Sequence, residues 1–267
     1  DRDRQLFPIG YPETTHTPDA SSYDLLASEA RLASFVAIAG SQVPVDHWFH
    51  LDRTLTRAAG ETALVSWSGS MFEYLMPALV MRALPFTVLA QTQHGAVARH
   101  VVFGVARRVP WGISESAYNR RDRHLTYQYH AFGVPDLALK RGLANDLVIA
   151  PYASALALMV EPDAALENLE TLERKGALGD YGFRDALDYT RPDKDARFAV
   201  VRNYMAHHVG MSLVALTNLL EDELWPRRFH ADPLVRSAEL LLHERIPRRL
   251  VIQPTQAADH DGAQPEA

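Results

Sequence analysis

The chain has 267 residues, a formal net charge of −6 at pH 7 and no cysteine. The acidic balance and the lack of dense basic runs argue against nucleic acid as a partner. The lack of cysteine excludes disulfides, a thiolate nucleophile and cysteine metal sites. No apolar run reaches the roughly 18 residues that a membrane-spanning helix needs, so no membrane segment is predicted in this chain.

The first predicted helix carries a carboxylate among leucines. Residues 1–21 mix prolines, threonines and charges without a period and are expected to form an extended lead-in. From Ser22 to Ala39 the spacing predicts a helix with Ser22 as its N-cap. Glu29 falls on the apolar face of that helix, where desolvation raises the pKa of a carboxyl group. Two interpretations stay open: a functional carboxylate, or a salt bridge to a distant arginine.

A second helix and its cap follow. The pattern predicts a helix over Met71–Leu84 that is kinked or divided at Pro77. Ser70 and Glu73 match a capping box, which gives Glu73 a structural reason to be there. A further helical run is predicted over residues 86–109.

The stretch PWGISESAYN, residues 110–119, is predicted to be a loop because proline and glycine keep it out of regular structure. It contains an indole, a carboxylate at Glu115 and a phenol. Functional groups often lie on loops that a rigid scaffold holds, and aromatic faces beside a carboxylate suit a sugar ring. The alternative is a surface loop anchored by a half-buried tryptophan.

The second half of the chain is predicted to be mainly helical. An exposed amphipathic helix has Pro162 at its start and Gly176 past its end. The run from Ala199 to Leu220 predicts one long buried helix, and a closing helix precedes a polar tail at 251–267. The expected fold is all-α, with short β pieces in the loops and the functional loops gathered at one rim.

Two adjacent histidines invite a metal interpretation that their spacing does not support. His207 and His208 point about 100° apart on a helix, whereas a helical zinc site needs ligands at i and i+4. They either line a polar pocket or are core histidines bonded to backbone carbonyls. The chain also lacks a phosphate-binding glycine loop and a G-x-S-x-G elbow, so neither a metal nor another cofactor is predicted.

The chemistry that recurs is carboxylate, aromatic ring and hydroxyl. Two carboxylates in different environments are the equipment of a glycosidase. The residues alone therefore indicate a carbohydrate-active α-helical domain.

Several stretches resemble one family: YDLLASEARLASF, SWSGSMFEYLMP, VPWGISESAYN, FGVPDLALKRGLANDLVIAPYASALAL and YMAHHVGMSLVAL. In this order they are similar to the central glycoamylase-like domain of cyclic β-1,2-glucan synthases. The resemblance implies an (α/α)6 toroid over residues 22–250, incomplete at its N-terminus. It also implies a larger polypeptide with flanking glycosyltransferase and phosphorylase-like domains, on the cytoplasmic side of the bacterial inner membrane.

The resemblance further implies cleavage of linear β-1,2-glucan with retention and closure of the chain into a ring. Glu29 would be the nucleophile and Glu115 the acid/base. The expected sugar-binding residues are Tyr23, Asp24, Trp67, Ser68, Ser70, Glu73, Tyr74, Trp111, Tyr118, Tyr204, His207 and His208. The alternatives are an endo-β-1,2-glucanase, retaining or inverting, and a non-catalytic glucan-binding module.

Overall fold

The structure, a computed structural model, describes residues 1–247 and 251–253. The α-helices are α1 Arg31–Ala39, α2 Asp46–His50, α3 Met71–Leu75, α4 Val88–Arg107, α5 Pro151–Ala157, α6 Pro162–Arg174, α7 Ala206–Leu220, α8 Leu224–Phe229 and α9 Pro233–Ala238. The strands are β1 Leu55–Ala58, β2 Glu61–Leu64, β3 Ser116–Arg121, β4 Tyr127–His130, β5 Val148–Ile149, β6 Leu178–Gly179, β7 Gly182–Phe183, β8 Ala186–Asp188 and β9 Ala199–Val201. Single 3₁₀ turns lie at Met76–Leu79, Pro135–Leu137, Leu143–Asn145 and Glu239–His243.

The described part of the chain is mostly helical, with short antiparallel strands in its connections. β1–β2, β3–β4 and β6–β7 are two-stranded, and β5, β8 and β9 form a three-stranded sheet in the order β5-β8-β9. Helix α4 packs on β2 and α3, while α5 packs against α3, α6 and α7. The largest fully buried side chains include Trp48, Tyr74, Ile149 and Leu172, so the core extends from the first helices to α5 and α6.

The prediction of a helix from Ser22 is wrong, because α1 begins only at Arg31. The backbone before it bonds to distant segments: the Tyr23 N–H donates to Phe7 O, and the Leu26 N–H donates to Asp52 O. These tertiary bonds use groups that a helix would pair internally. Glu29 therefore lies on a loop that leads into α1, and the cleft described below is lined by that loop.

Helix α3 confirms the capping box, but the helix predicted over Met71–Leu84 is too long, because α3 ends at Leu75 and the 3₁₀ turn that follows it ends at Leu79. The Ser70 side chain accepts from the Glu73 N–H, the Glu73 side chain accepts from the Ser70 N–H, and α3 passes into a 3₁₀ turn that contains Pro77. The helix predicted over residues 86–109 is observed as α4.

The long buried helix predicted over Ala199–Leu220 is only partly correct. Its first residues form β9, which pairs with β8, and the helix α7 begins at Ala206. Nor is α7 buried, because the side chains of Leu213 and Leu220 are 60% and 70% exposed. The described residues leave this apolar face uncovered. The closing helix is also shorter than expected, since α9 ends at Ala238 and a 3₁₀ turn follows.

The predicted ends of the chain are described in part. Ile252 forms a parallel bridge with Leu55, and the Gln253 N–H donates to Leu55 O at 2.9 Å. Residues 248–250, at the end of the predicted domain, and 254–267, most of the predicted tail, lie outside the described residues. None of the described helices is long and apolar enough to cross a bilayer.

Candidate active site

A cleft of about 380 Å³ opens where the loop before α1 meets the loops around Trp67 and Glu115. It is lined by Arg4, Ile9, Ala20, Ser21, Ser22, Tyr23, Asp24, Leu25, Ser28, Glu29, Trp67, Ser68, Glu73, Glu115 and Ala131. The two carboxylates singled out from the sequence therefore share one cavity, although they are far apart along the chain. A larger groove of about 650 Å³ between α5, α6 and α7 is mainly apolar and is lined by neither of them.

Glu29 is half-buried at the edge of this cleft. Its Oε2 accepts a hydrogen bond from the Ser28 hydroxyl at 3.2 Å. Burial raises the pKa of its carboxyl group above the usual value, and the Glu73 charge adds to the effect. The prediction that Glu29 is desolvated is confirmed. Its burial does not come from the apolar face of a helix, because α1 begins only at Arg31. A carboxylate in this setting is poorly solvated, which favours its use as a nucleophile.

The loop of Glu29 is attached to α3 by a buried arginine. The Arg31 guanidinium donates to Ser28 O at 3.1 Å, Glu73 O at 2.9 Å and Tyr74 O at 2.7 Å. Burial lowers the Arg31 pKa to about 10, and the Glu29 charge opposes that fall. At neutral pH the guanidinium is charged, so it fixes the backbone that carries Glu29 and offsets part of its negative charge.

Glu115 has the more strongly perturbed carboxyl group of the pair. Burial, then the Glu29 charge and the Glu73 charge, raise its pKa to about 7, against the opposing effects of the Tyr129 hydroxyl and of Lys140. A carboxyl group with this pKa is partly protonated near neutral pH and can both give and take a proton. The Glu29 charge acts on Glu115 across the cleft and disfavours a second negative charge there.

The loop that presents Glu115 is held from its interior side. The Asn168 side chain accepts from the Trp111 N–H at 3.2 Å and donates to Trp111 O at 2.8 Å. Gly112 has φ +103, and a Cβ there would lie 3.1 Å from Ser154 Oγ. The Trp111 ring is 8% exposed and packs in the core. Trp111 is therefore the anchor of the loop, as the alternative interpretation had it, and does not stack on sugar.

Glu73 lies on the cleft wall but its carboxylate is occupied. It accepts from the Ser66 hydroxyl at 3.1 Å, from the Ser68 hydroxyl and amide at 2.6 and 3.0 Å, and from the Ser70 hydroxyl and amide at 2.8 and 2.9 Å. These donors satisfy most of its lone pairs. Its contacts show a structural role, and through its charge it raises the pKa of Glu115.

The structure separates the other sugar-binding candidates into groups. Those that line the cleft with the two glutamates are Tyr23, Asp24, Trp67 and Ser68. The Trp67 ring is 61% exposed, which leaves its face free to stack. Tyr74 is wrong as a stacking residue, because it is 1% exposed and its hydroxyl donates to Leu64 O and Leu137 O. Ser70 is fully buried against Glu73.

The remaining candidates lie outside the cleft wall. The Tyr118 ring packs edge-on against Phe132 and under the Arg191 guanidinium. Tyr204 contacts Tyr181 and the Arg184 guanidinium. Neither residue lines the cleft with Glu29 and Glu115, so sugar binding by Tyr118 and Tyr204 stays a prediction.

The two histidines have separate environments. His207 is exposed, whereas His208 is buried, with its Nδ1 2.6 Å from Asp185 Oδ1. Among the described residues, the ring nitrogens of His208 contact side chains, so this histidine is not held by backbone carbonyls. In the described residues no group of three or more possible ligands is arranged to hold a metal ion.

Sequence reasoning missed the residues that surround Glu115. The Tyr129 hydroxyl lies 3.4 Å from Glu115 Oε2, and the Tyr152 hydroxyl donates to Glu115 O at 3.0 Å. The signal for Tyr129 is the aromatic run Tyr127–His130, but nothing local in that run indicates that it lies beside Glu115. Asp185 lies in the stretch GFRDALD, residues 182–188, and nothing in that stretch indicates that it meets His208.

The family model for glycoamylase matches residues 21–233. The cyclic β-(1,2)-glucan synthase NdvB of Rhizobium meliloti is 50% identical over 267 residues, which are 99% of this chain and 9% of that protein.

Two solved structures have a similar fold. A candidate glucoamylase from Bacteroides caccae superposes with a TM-score of 0.66 at 16% identity, over 90% of this chain and 59% of that one. An endo-β-1,2-glucanase from Chitinophaga pinensis gives 0.64 at 17% identity, with the same coverage of 90% and 59%. The chain thus spans under two thirds of these relatives. Because the family model covers most of its residues, the chain belongs to the glycoamylase family.

Proposed function

We propose that this chain cleaves linear β-1,2-glucan with retention and transfers the new end within the same molecule, which forms a cyclic β-1,2-glucan. The single observation that carries the proposal is that Glu29 and Glu115 share one cleft in which desolvation and the neighbouring carboxylates raise the pKa of Glu115 to about 7, the larger shift of the two. That difference supplies a carboxylate to attack and an acid to protonate the leaving group. The identity of the glucan rests on the rhizobial and Chitinophaga relatives.

In the first half of the reaction Glu29 attacks the anomeric carbon while the glycosidic bond breaks. The electron pair of that bond goes to the departing oxygen, which takes the proton of Glu115. The product is a covalent glycosyl-enzyme on Glu29 and a carboxylate at Glu115. The surrounding charge of Glu73 favours a protonated Glu115 at the start.

In the second half Glu115 acts as the base. It takes the proton of the acceptor 2-hydroxyl at the other end of the bound glucan, and that oxygen displaces Glu29 from the anomeric carbon. Two inversions give net retention. Ring closure exceeds hydrolysis only if the acceptor end is held in place and water is kept from the intermediate. The exposed ring of Trp67 and the side chains of Tyr23 and Asp24 are suited to hold sugar at this cleft.

We further propose that the chain is part of an (α/α)6 toroid within a longer polypeptide, with glycosyltransferase and phosphorylase-like domains, on the cytoplasmic side of the inner membrane. The support is the similarity to NdvB, of which this chain matches 9%. Fractionation of cells that produce the whole polypeptide, followed by protease protection of inverted and right-side-out vesicles, tests the orientation.

The mechanism is tested with three variants and azide. Glu29→Gln and Glu115→Gln are expected to lose turnover by at least about 100-fold, since each removes a reacting group, whereas Glu167→Gln on the exposed face of α6 keeps wild-type rates. With an aryl β-sophoroside whose leaving group needs no acid, Glu115→Ala plus azide is expected to give the β-glycosyl azide. Recovery of the α-azide from this variant would contradict a glycosyl-enzyme on Glu29.

An endo-β-1,2-glucanase is the second candidate, because the Chitinophaga structure carries that activity in its name. A retaining endoglucanase would use the same two glutamates, so only its linear products would separate it from a cyclising enzyme. An inverting one would form no glycosyl-enzyme and would release a product of inverted anomeric configuration. A non-catalytic glucan-binding module would instead bind glucan equally in the wild type and in Glu29→Gln, with no turnover in either.

A further inference from the structure

A line of hydrogen bonds leads from Glu115 into the protein. The Tyr129 hydroxyl lies 3.4 Å from Glu115 Oε2 and 3.3 Å from His208 Nε2. The other ring nitrogen of His208, Nδ1, lies 2.6 Å from Asp185 Oδ1. Tyr129 is 41% exposed, whereas the Asp185 side chain is fully buried. The line therefore connects the cleft carboxyl group to a buried carboxylate through a phenol and an imidazole.

Local structure holds each member of this line. Tyr129 on β4 lies opposite Ala117 on β3, two residues past Glu115. The Ala117 N–H donates to Asp185 Oδ2 at 2.7 Å, so one strand residue is paired with Tyr129 and also holds Asp185. The His208 ring stacks on the Tyr152 ring at 3.8 Å with a 10° interplanar angle. The imidazole can neither rotate nor leave the line without breaking these contacts.

Tyr152 also fixes the backbone of the acid/base residue. Its hydroxyl contacts Ser114 Oγ at 2.7 Å and Glu115 O at 3.0 Å. The same phenol ring therefore supports His208 from one side and the Glu115 loop from another. The two contacts of Tyr129 are long for O–H bonds, and catalytic hydrogen bonds commonly tighten when substrate binds.

We propose that Tyr129, His208 and Asp185 form a proton relay that shares one proton between His208 and Glu115, and that these three are positioning residues for the acid/base step. The inference rests on the proposed function, because it needs Glu115 to exchange protons with substrate. It goes beyond that function by assigning work to buried residues that do not touch the sugar.

The relay has two arrangements, and protons balance between them. In one, Glu115 is protonated and donates to Tyr129, whose hydroxyl donates to neutral His208 at Nε2. In the other, the Nε2 proton of a charged His208 is donated to Tyr129, whose hydroxyl donates to the Glu115 carboxylate. Passing from the first to the second moves two protons one step each and leaves Tyr129 neutral. In both arrangements Nδ1 stays protonated and donates to the Asp185 carboxylate, whose negative charge compensates the imidazolium charge.

The relay answers a difficulty in the second half of the reaction. Glu115 is a carboxylate after the first half and must remain one until it deprotonates the acceptor, but its desolvated setting favours recapture of a proton. Moving that proton to His208 restores the base without opening the cleft to water. Other titratable or charged groups also face these residues. Those around Glu115, Tyr129 and the two histidines are Tyr23, Glu29, Glu73, Lys140, Tyr152 and His207.

The test compares Tyr129→Phe with Tyr127→Phe, which removes a hydroxyl from the same strand away from Glu115. The substrate is an aryl β-sophoroside that needs no acid for departure. In Tyr129→Phe the initial burst of phenolate is expected to stay at one equivalent, while later turnover falls on the order of tenfold to a hundredfold, a part of the general acid–base contribution. Azide needs no base, so it is expected to restore turnover. Tyr127→Phe is expected to match the wild type.

The pH profile supplies a second measurement. The Tyr129 hydroxyl lowers the pKa of Glu115, so its loss raises that pKa and moves the basic limb of kcat/KM on linear glucan to higher pH. Asp185→Asn is expected to show the same burst, slowed turnover and azide rescue.

Unchanged turnover in Tyr129→Phe would overturn the relay, as would equal losses of burst and turnover without azide rescue, which is the pattern of a structural role. The proposed function fails on a different result, a full burst in Glu29→Gln. The two failures are therefore distinguishable.

Discussion

Replacing Glu115 with glutamine is expected to stabilise the folded chain above neutral pH while it abolishes turnover. The pKa of Glu115 is raised from 4.5 to about 7 in the folded state. Folding therefore favours the protonated carboxyl group, and its contribution is fully present below about pH 4.5 and is lost as the pH rises through about 7. Glutamine is neutral at every pH and avoids that loss.

The magnitude follows from the shift. A change from 4.5 to about 7 corresponds to roughly 3 kcal/mol between protonation states, and the partial exposure of Glu115 reduces this to about 1–2 kcal/mol. For a chain of this size each kcal/mol moves the melting temperature by about 2–4 °C. Glu115→Gln is therefore expected to melt several degrees higher than the wild type at pH 8.5 and at the same temperature at pH 4.5.

Thermal unfolding at both pH values measures the effect, with Glu167→Gln as the matched control on an exposed helix face. The control is expected to follow the wild type at both pH values. Equal melting temperatures of Glu115→Gln and wild type at pH 8.5 would refute the desolvation of Glu115.

Three further variants separate binding from folding. Trp67→Ala is expected to raise KM for glucan about tenfold, since losing about 1.4 kcal/mol of stacking has that effect, and calorimetry should show unchanged stability because the ring is 61% exposed. Glu73→Gln places an amide NH₂ among serine donors, so it is expected to lower the free energy of unfolding, measured with urea, by about 2–3 kcal/mol. The KM of the protein that remains folded is expected to be unchanged. Gly133→Ala would bring a Cβ to 1.8 Å from Ser68 O, so it is expected to cost about 3 kcal/mol or more, and wild-type urea stability would contradict that packing.

Some features were predictable because their causes are local. The capping box needs only Ser70 and Glu73 three residues apart, and the structure has both of its hydrogen bonds. Helix α6 starts with Pro162, and Gly176 after its end has φ +80, a conformation that glycine adopts easily. The loop around Glu115 follows from the proline and glycine beside Trp111.

Other features depend on contacts between distant segments. Residues 22–30 have helical spacing, but their backbone forms hydrogen bonds with Phe7 and Asp52 instead. A local sequence pattern cannot predict bonds to such distant residues. Tyr129 and Asp185 meet near Glu115 only because β3 pairs with β4 and the Ala117 N–H reaches Asp185. The first residues of the predicted long helix form β9 because they pair with β8. Tertiary pairing overrode propensity in each case.

The most direct test of the central claim is to incubate the purified chain with linear β-1,2-glucan and to read the products by mass spectrometry. Intramolecular transfer by Glu29 and Glu115 predicts species lighter than the linear series by one water, and predicts that both glutamine variants lack them. Shorter linear glucans alone, with no species lacking a water, would contradict cyclisation and leave the endoglucanase.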